Sequence, residues 1–203
     1  WGGLWQLKMR YDEAHGRFGF TSDYLTSGYS LKKLVHPDSE GDAYNKIVPY
    51  PWPIIRLSEL YLNYAEALNE ANGPSQQVYD ALNNVRDRAG IPTVEQAWSD
   101  VSVAANPGKH TNVVGLREII KQERLIELAF EGHRYNDLRR WKIAEEYLSS
   151  SIRGWSVDES SEANFYNLRD IGIRSFSSPR DYLHPISFDE LSINPSLVQN
   201  PGW

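Results

Sequence analysis

The chain has no cysteine in its 203 residues. That excludes a disulfide framework, a thiolate nucleophile and a cysteine-ligated metal. No apolar run approaches the roughly 20 residues of a membrane-spanning helix, and the chain does not open on a signal peptide. Basic residues are outnumbered, 21 Lys and Arg against 27 Asp and Glu, for a net charge of -6. This argues against nucleic acid and against an anionic membrane face as partners. There is no G-x-S-x-G, no Gly-rich phosphate loop and no H-E-x-x-H. His15, His36, His110, His133 and His184 are scattered at no metal-ligand spacing and read as surface or capping residues. No catalytic residue, cofactor or metal is expected.

What remains is a globular composition, 40% hydrophobic and 24% charged, enough for one domain or a large part of one. Residues 1–53 carry no helical period. Leu4–Tyr11, Arg17–Phe20 and Tyr29–Val35 have weak strand character, with a turn at Glu13–Gly16. Pro49, Pro51 and Pro53 then forbid regular structure. Ile54–Asn72 is a predicted helix with Leu57, Leu60, Tyr61, Tyr64, Ala65, Leu68 and Ala71 inward and Glu59, Asn63, Glu66 and Glu70 outward. Gly73 ends it, Ser75 caps a second helix over Gln76–Ala89, and Gly90 and Pro92 stop that one. The short connection makes the two antiparallel neighbours, and their apolar spacing approximates one tetratricopeptide-type pair.

A turn of helix is expected near Glu95–Trp98, with Thr111 or Asn112 capping the next helix. That helix carries the stretch around which the chain is organised, Leu116–Trp141. Leu116, Ile119, Ile120, Ile126 and Phe130 form an apolar stripe that also holds Glu123 and Glu127. Buried carboxylates need partners. Arg134, Arg139 and Arg140 follow within one or two turns, and Arg86 and Arg88 on the second helix are also within reach. Two readings stand here. One takes Glu123, Glu127, Glu131 and Asp137 as an acid/base or metal cluster; the other takes Glu123, Glu127, Arg134, Arg139 and Arg140 as a structural network. The abundance of arginine favours the second. The helix is expected to bend at Gly132 and resume from Arg134 to about Leu148, with Tyr135, Leu138, Trp141 and Ile143 or Ala144 inward. Ser149–Asp181 is polar and loop-like, with strand character in Phe165–Phe176. Phe188–Ile193 reads as a short helix, and Trp203 is expected to tuck against the helices.

The stretch ERLIELAFEGHRYNDLRRW resembles the signature of the SusD/RagB family of outer-membrane nutrient-binding lipoproteins. RLSELYLNYAEALNEA, LNNVRDRAGIP and YLHPISFDELSINPSLVQNPGW are similar to three further family segments, in the family's order. The resemblance implies a mainly α fold, a helical, tetratricopeptide-like superstructure with long irregular loops and a few short strands. Residues 1–203 would be the C-terminal part of a single domain: 1–53 loop and short strands, 54–148 helical core, 149–203 loop and tail. It also implies a lipid anchor and first helices that lie outside these residues, in a chain about twice this length or more.

By the same resemblance the function is glycan capture on the outer surface of the outer membrane and delivery to a SusC-like TonB-dependent transporter, without covalent chemistry. Seven Trp, twelve Tyr and six Phe suit that reading, because flat rings stack on the apolar C–H faces of pyranoses. Loop aromatics are the ligand-binding candidates: Trp1, Trp5, Tyr24, Trp52, Trp98 and Trp155. A helical-repeat interaction scaffold and a carboxylate-based glycoside hydrolase stand as alternatives.

Overall fold

A computed structural model describes residues 8–18, 24–31, 33–39, 46–102 and 104–203. The chain forms two compact units. One contains residues 51–137; the other combines residues 1–50 with 138–203.

The first unit is helical. Helices α1 (Leu57–Asn72), α2 (Gln76–Arg88), α3 (Val94–Ser99) and α4 (Val113–Glu127) enclose one core. Leu62 and Ala65 from α1, Val78, Ala81, Leu82 and Val85 from α2, Val94 from α3, and Leu116, Ile119 and Ile120 from α4 are buried together. Local chemistry sets the ends. Gly73, at φ 79, returns its N–H to the Asn69 carbonyl. Thr93 and Gln96 form a reciprocal capping box on α3. The Asn112 side chain accepts from the Gly115 N–H at 2.8 Å, capping α4. Gly115 is required by space, since a Cβ there would lie 2.0 Å from the Lys109 carbonyl oxygen.

The phase of α1 departs from the apolar pattern. Its buried stripe is Ser58, Leu62, Ala65 and Asn69, while Leu57, Leu60 and Tyr64 face outward. The helix is rotated by about a quarter turn from the expected face. The reason is its polar stripe, which α4 covers. Arg117 binds Glu70 through two hydrogen bonds of 2.6 and 2.5 Å. Arg124 donates to Asn63 at 2.6 Å and lies 3.9 Å from Glu66. His133 lies 3.7 Å from Glu59. Asn69, fully buried, donates to the Val113 carbonyl at 3.1 Å.

The α4 stripe is also shorter than expected. Ile126 and Phe130 are exposed. Ile126 stands only about 20° round from buried Ile119, but it is the penultimate residue of the helix, which ends at Glu127 rather than bending at Gly132. Phe130 at φ 66 and Gly132 at φ 82 reverse the chain before helix α5 (His133–Arg140) begins.

Helix α5 runs from the first unit into the second. Lys142, at φ 59, breaks the expected long helix, and α6 (Ala144–Leu148) follows. Leu138 and Ala144 are buried with Phe176, whereas Tyr135 is exposed. Strands β1 (Ser151–Trp155) and β2 (Leu168–Ile173) pair antiparallel, Trp155 opposite Leu168 and Ser151 opposite Ile173, with an irregularity between Ile152 and Arg153. The one-turn helix α7 (Glu162–Phe165) joins them. Helix α8 (Phe188–Ile193) is capped by Ser187.

The strands expected near the N-terminus are absent from the described residues. Residues 8–18 close into turns through His15 N–H to Lys8 C=O and Phe18 N–H to Tyr11 C=O, both 2.8 Å. Leu34, at φ 65, interrupts extension after Tyr29. Leu4–Leu7, Gly19 and Phe20 lie outside the described residues. Trp203 meets the 3-10 turn at Arg180–Tyr182 rather than the α-helices. Its indole N–H donates to the Arg180 and Leu183 carbonyls at 3.1 and 3.2 Å, and the Arg180 guanidinium lies 5.1 Å from the ring. Among the described residues no helix is long and apolar enough to cross a membrane.

Candidate ligand-binding site

Glycine places an aromatic side chain on each of two adjoining segments of the second unit, Gly28-Tyr29 and Gly154-Trp155. Gly28 is at φ 71, and a Cβ on it would lie 2.8 Å from the Trp155 Cβ. A Cβ on Gly154 would lie 2.7 Å from the Ser27 carbonyl oxygen. With both Cβ atoms missing, the 27–29 segment runs against β1, and the Trp155 N–H donates to the Ser27 carbonyl at 2.9 Å. Tyr29 then meets the indole at 5.2 Å between centroids, tilted 38°. On the other side Tyr166 meets it edge-on at 5.2 Å and 89°, backed by buried Phe165 at 5.2 Å. Tyr29 and Tyr166 are 50% and 56% exposed, so their outer faces are open.

Polar groups surround these rings. Arg169 donates through Nε to the Trp155 carbonyl at 3.2 Å and binds Asp158 at 2.9 Å. The other Asp158 oxygen accepts from Arg17, whose guanidinium lies 5.8 Å from the Tyr24 ring. Asp158 holds the Arg17 guanidinium above its ordinary pKa, first through that hydrogen bond and then through charge. The Arg17–Asp158–Arg169 bracket thus links Tyr24 to Trp155. Sequence reasoning singled out those two aromatics and missed Tyr29, Tyr166, Arg17, Asp158 and Arg169. The two Gly-aromatic pairs were the available signal.

The other candidates stand apart. Trp98 packs on the core of the helical unit, with Lys109 Nζ 5.2 Å from its ring. It lines a cavity of about 280 Å³ with Arg86, Ile119, Gln122, Glu123 and Ile126. Trp52 is 64% exposed. Trp1 and Trp5 lie outside the described residues. A second cavity of about 470 Å³, lined by Lys142, Glu145, Glu146, Ser178, Tyr182 and Leu183, contains none of the candidates.

Glu123 and Glu127 of α4 are held by arginines from earlier in the chain. Glu123 and Glu127 have 12% and 10% of their side-chain surface exposed. Glu123 accepts from Arg86. Glu127 accepts from Arg56 at 2.7 Å and from Arg88 at 2.6 Å. Arg56 also makes a two-pronged contact with Glu131, at 2.8 and 2.7 Å, and that contact is the chief reason its pKa is raised. Asp137 is bound by Arg124. Of the arginines expected around Glu123 and Glu127, Arg139 donates to the Tyr182 carbonyl and meets His184 at 3.0 Å, and Arg140 lies 4.7 Å from the Trp141 ring. Arg134 stands in the first turn of α5. Among the described residues no group of three or more His, Asp or Glu is placed to hold a metal ion.

The mainly helical fold and the signature around Arg124 define a class. Residues 11–203 match the model of the SusD family. The chain belongs to the SusD family. It is 31% identical over 150 residues to SusD-like protein P2 of Formosa agariphila, covering 73% of this chain and 25% of that protein. It is 32% identical over 148 residues to SusD-like protein P25 of the same organism, covering 72% and 23%. A solved structure of BT4246 superposes with a TM-score of 0.78 at 28% identity, over 98% of this chain and 32% of that one. A SusD-like protein from Bacteroides fragilis, BF3747, gives 0.57 at 33% identity, over 76% and 28%. The chain therefore spans about a quarter of the curated relatives it matches.

Proposed function

We propose that these residues are the C-terminal part of a single SusD-like domain, with 1–53 as loop and short strands, 54–148 as helical core and 149–203 as loop and C-terminal tail. The whole protein captures glycans at the outer face of the outer membrane and passes them to a SusC-like TonB-dependent transporter. A lipid anchor outside these residues holds it there. The observation that carries this reading is the family match over residues 11–203. The exposed rings around Trp155 support it, because open aromatic faces beside hydrogen-bonding groups suit pyranose recognition.

The protein binds and does not hydrolyse. A glycosidase needs one carboxyl group positioned as a proton donor and a second facing the sugar or a water. Glu123 and Glu127 instead accept from Arg86, Arg56 and Arg88, so their oxygens are engaged by guanidiniums rather than facing a sugar or a water. Co-purification of the tagged full-length protein from outer membranes tests the transporter half of this reading: a TonB-dependent transporter is expected in stoichiometric amount, and its absence would refute the partnership.

A protein-interaction scaffold is the second reading. It is favoured by the outward apolar stripe of α1, Leu57, Leu60 and Tyr64, continued by Ile54 and Ile55 before the helix.

A further inference from the structure

We infer that Tyr29, Trp155 and Tyr166 form a sugar-stacking platform, and that the Arg17–Asp158–Arg169 bracket supplies its hydrogen-bonding rim. The inference rests on the glycan-binding reading above and names the site, the ligand class being a pyranose oligosaccharide.

Four observations converge on it. The rings lie against one another, both tyrosines at 5.2 Å from the same indole. They are held from behind: buried Phe165 backs Tyr166, the Trp155 N–H is tied to Ser27, and the Trp155 carbonyl is tied to Arg169. A platform fixed before binding loses little side-chain entropy when a ligand arrives. The outer tyrosine faces are open although aromatic rings of this size ordinarily bury most of their surface. Finally, the flanking groups are two guanidiniums and one carboxylate, which together both donate and accept, as the vicinal hydroxyls of a sugar require.

The Trp98 cavity fits this role less well. Its indole is packed on the core and Lys109 lies over the ring. An aliphatic protein partner also fits the platform less well, because the groups linked to it, Arg17, Asp158 and Arg169, are charged.

The test uses affinity electrophoresis of the full-length protein in gels containing starch, xylan, galactomannan or chondroitin sulfate. The wild type is expected to be retarded by at least one of them. The Tyr29→Ala/Tyr166→Ala variant is expected to lose at least tenfold in affinity for that polysaccharide with an unchanged circular dichroism spectrum. Tyr166→Ser, at the more exposed ring, gives the same test with the Tyr29 side intact, and Tyr166→Trp is expected to restore binding. Retardation of the wild type with equal retardation of both the double variant and Tyr166→Ser would overturn the platform and leave the glycan reading standing. No retardation of the wild type in any of the four gels would overturn the glycan reading, and the platform's ligand with it.

Discussion

Arg124 and Asp137 meet through two parallel N–H···O bonds of 3.0 Å, Nε to one carboxylate oxygen and a terminal nitrogen to the other. Both residues are buried, and Arg124 uses its remaining terminal nitrogen on Asn63. One guanidinium therefore ties α4 to α1 and to α5. Removing one member of a buried pair leaves the other charge uncompensated, at about 3–5 kcal/mol. Arg124→Ala is expected to destabilise by that amount in urea unfolding. Arg124→Lys keeps the charge but loses the planar fork, so an intermediate loss is expected. A loss below about 1 kcal/mol for Arg124→Ala would place the pair among surface contacts.

Arg56 provides a second tie, reaching Glu127, Glu131 and the Glu127 backbone carbonyl from the segment before α1. Glu127→Ala leaves Arg56 with Glu131 as its remaining carboxylate in this group and deprives Arg88 of the same partner. Unfolding free energy is expected to fall by about 3–5 kcal/mol. Because Arg56, Glu127 and Glu131 share one network, Glu127→Ala and Glu131→Ala are expected to be non-additive in a double-mutant cycle. Strict additivity would separate the two contacts.

The Glu70 carboxyl is held below its ordinary range, chiefly by the hydrogen bond from Arg117. A depressed folded-state pKa contributes stability above the unfolded value, near 4.3, and that contribution disappears as pH falls through the folded value. Both side chains are more than a third exposed, so solvent screening limits the pair to about 0.2–1 kcal/mol. Glu70→Gln is expected to lower stability by that amount at pH 7 and by nothing once pH is below the folded value. A gap that stays constant from pH 7 to pH 2 would contradict the assignment.

Gly132 at φ 82 has no neighbouring atom within 4 Å of where a Cβ would stand. Gly132→Ala therefore meets conformational strain without a clash, and is expected to cost about 1–2 kcal/mol in the same unfolding assay. Gly90→Ala, also at positive φ and open, is expected to cost a similar amount. A neutral result at both positions would mean that the turns relax.

Much of this architecture is legible locally. Gly73 and Ser75, then Gly90 and Pro92, bound α1 and α2 because each sets a backbone conformation that its neighbours need not supply. Ser187 and the following residues mark α8 in the same way. The phase of α1 was not legible. Counting apolar residues places Leu57, Leu60 and Tyr64 inward, but Glu59, Asn63, Glu66 and Glu70 have partners on α4 and α5, and only the tertiary structure shows them. Strand β1 was missed for a related reason. Ser-Ile-Arg-Gly-Trp has weak strand character, and its pairing with β2 is a non-local contact. Trp155 and Tyr24 could be read as loop aromatics. Tyr29 and Tyr166 could not be separated from other surface tyrosines until the indole brought them together.

The central claim is that a SusD-family chain holds glycan without altering it. The most direct measurement is calorimetric titration of the full-length protein with an oligosaccharide of a retarding polysaccharide, followed by chromatography of the recovered sugar. Saturable heat and an unchanged chain length are the expected result. Shortened chains that persist in purified wild type and vanish in Glu123→Gln would contradict the account.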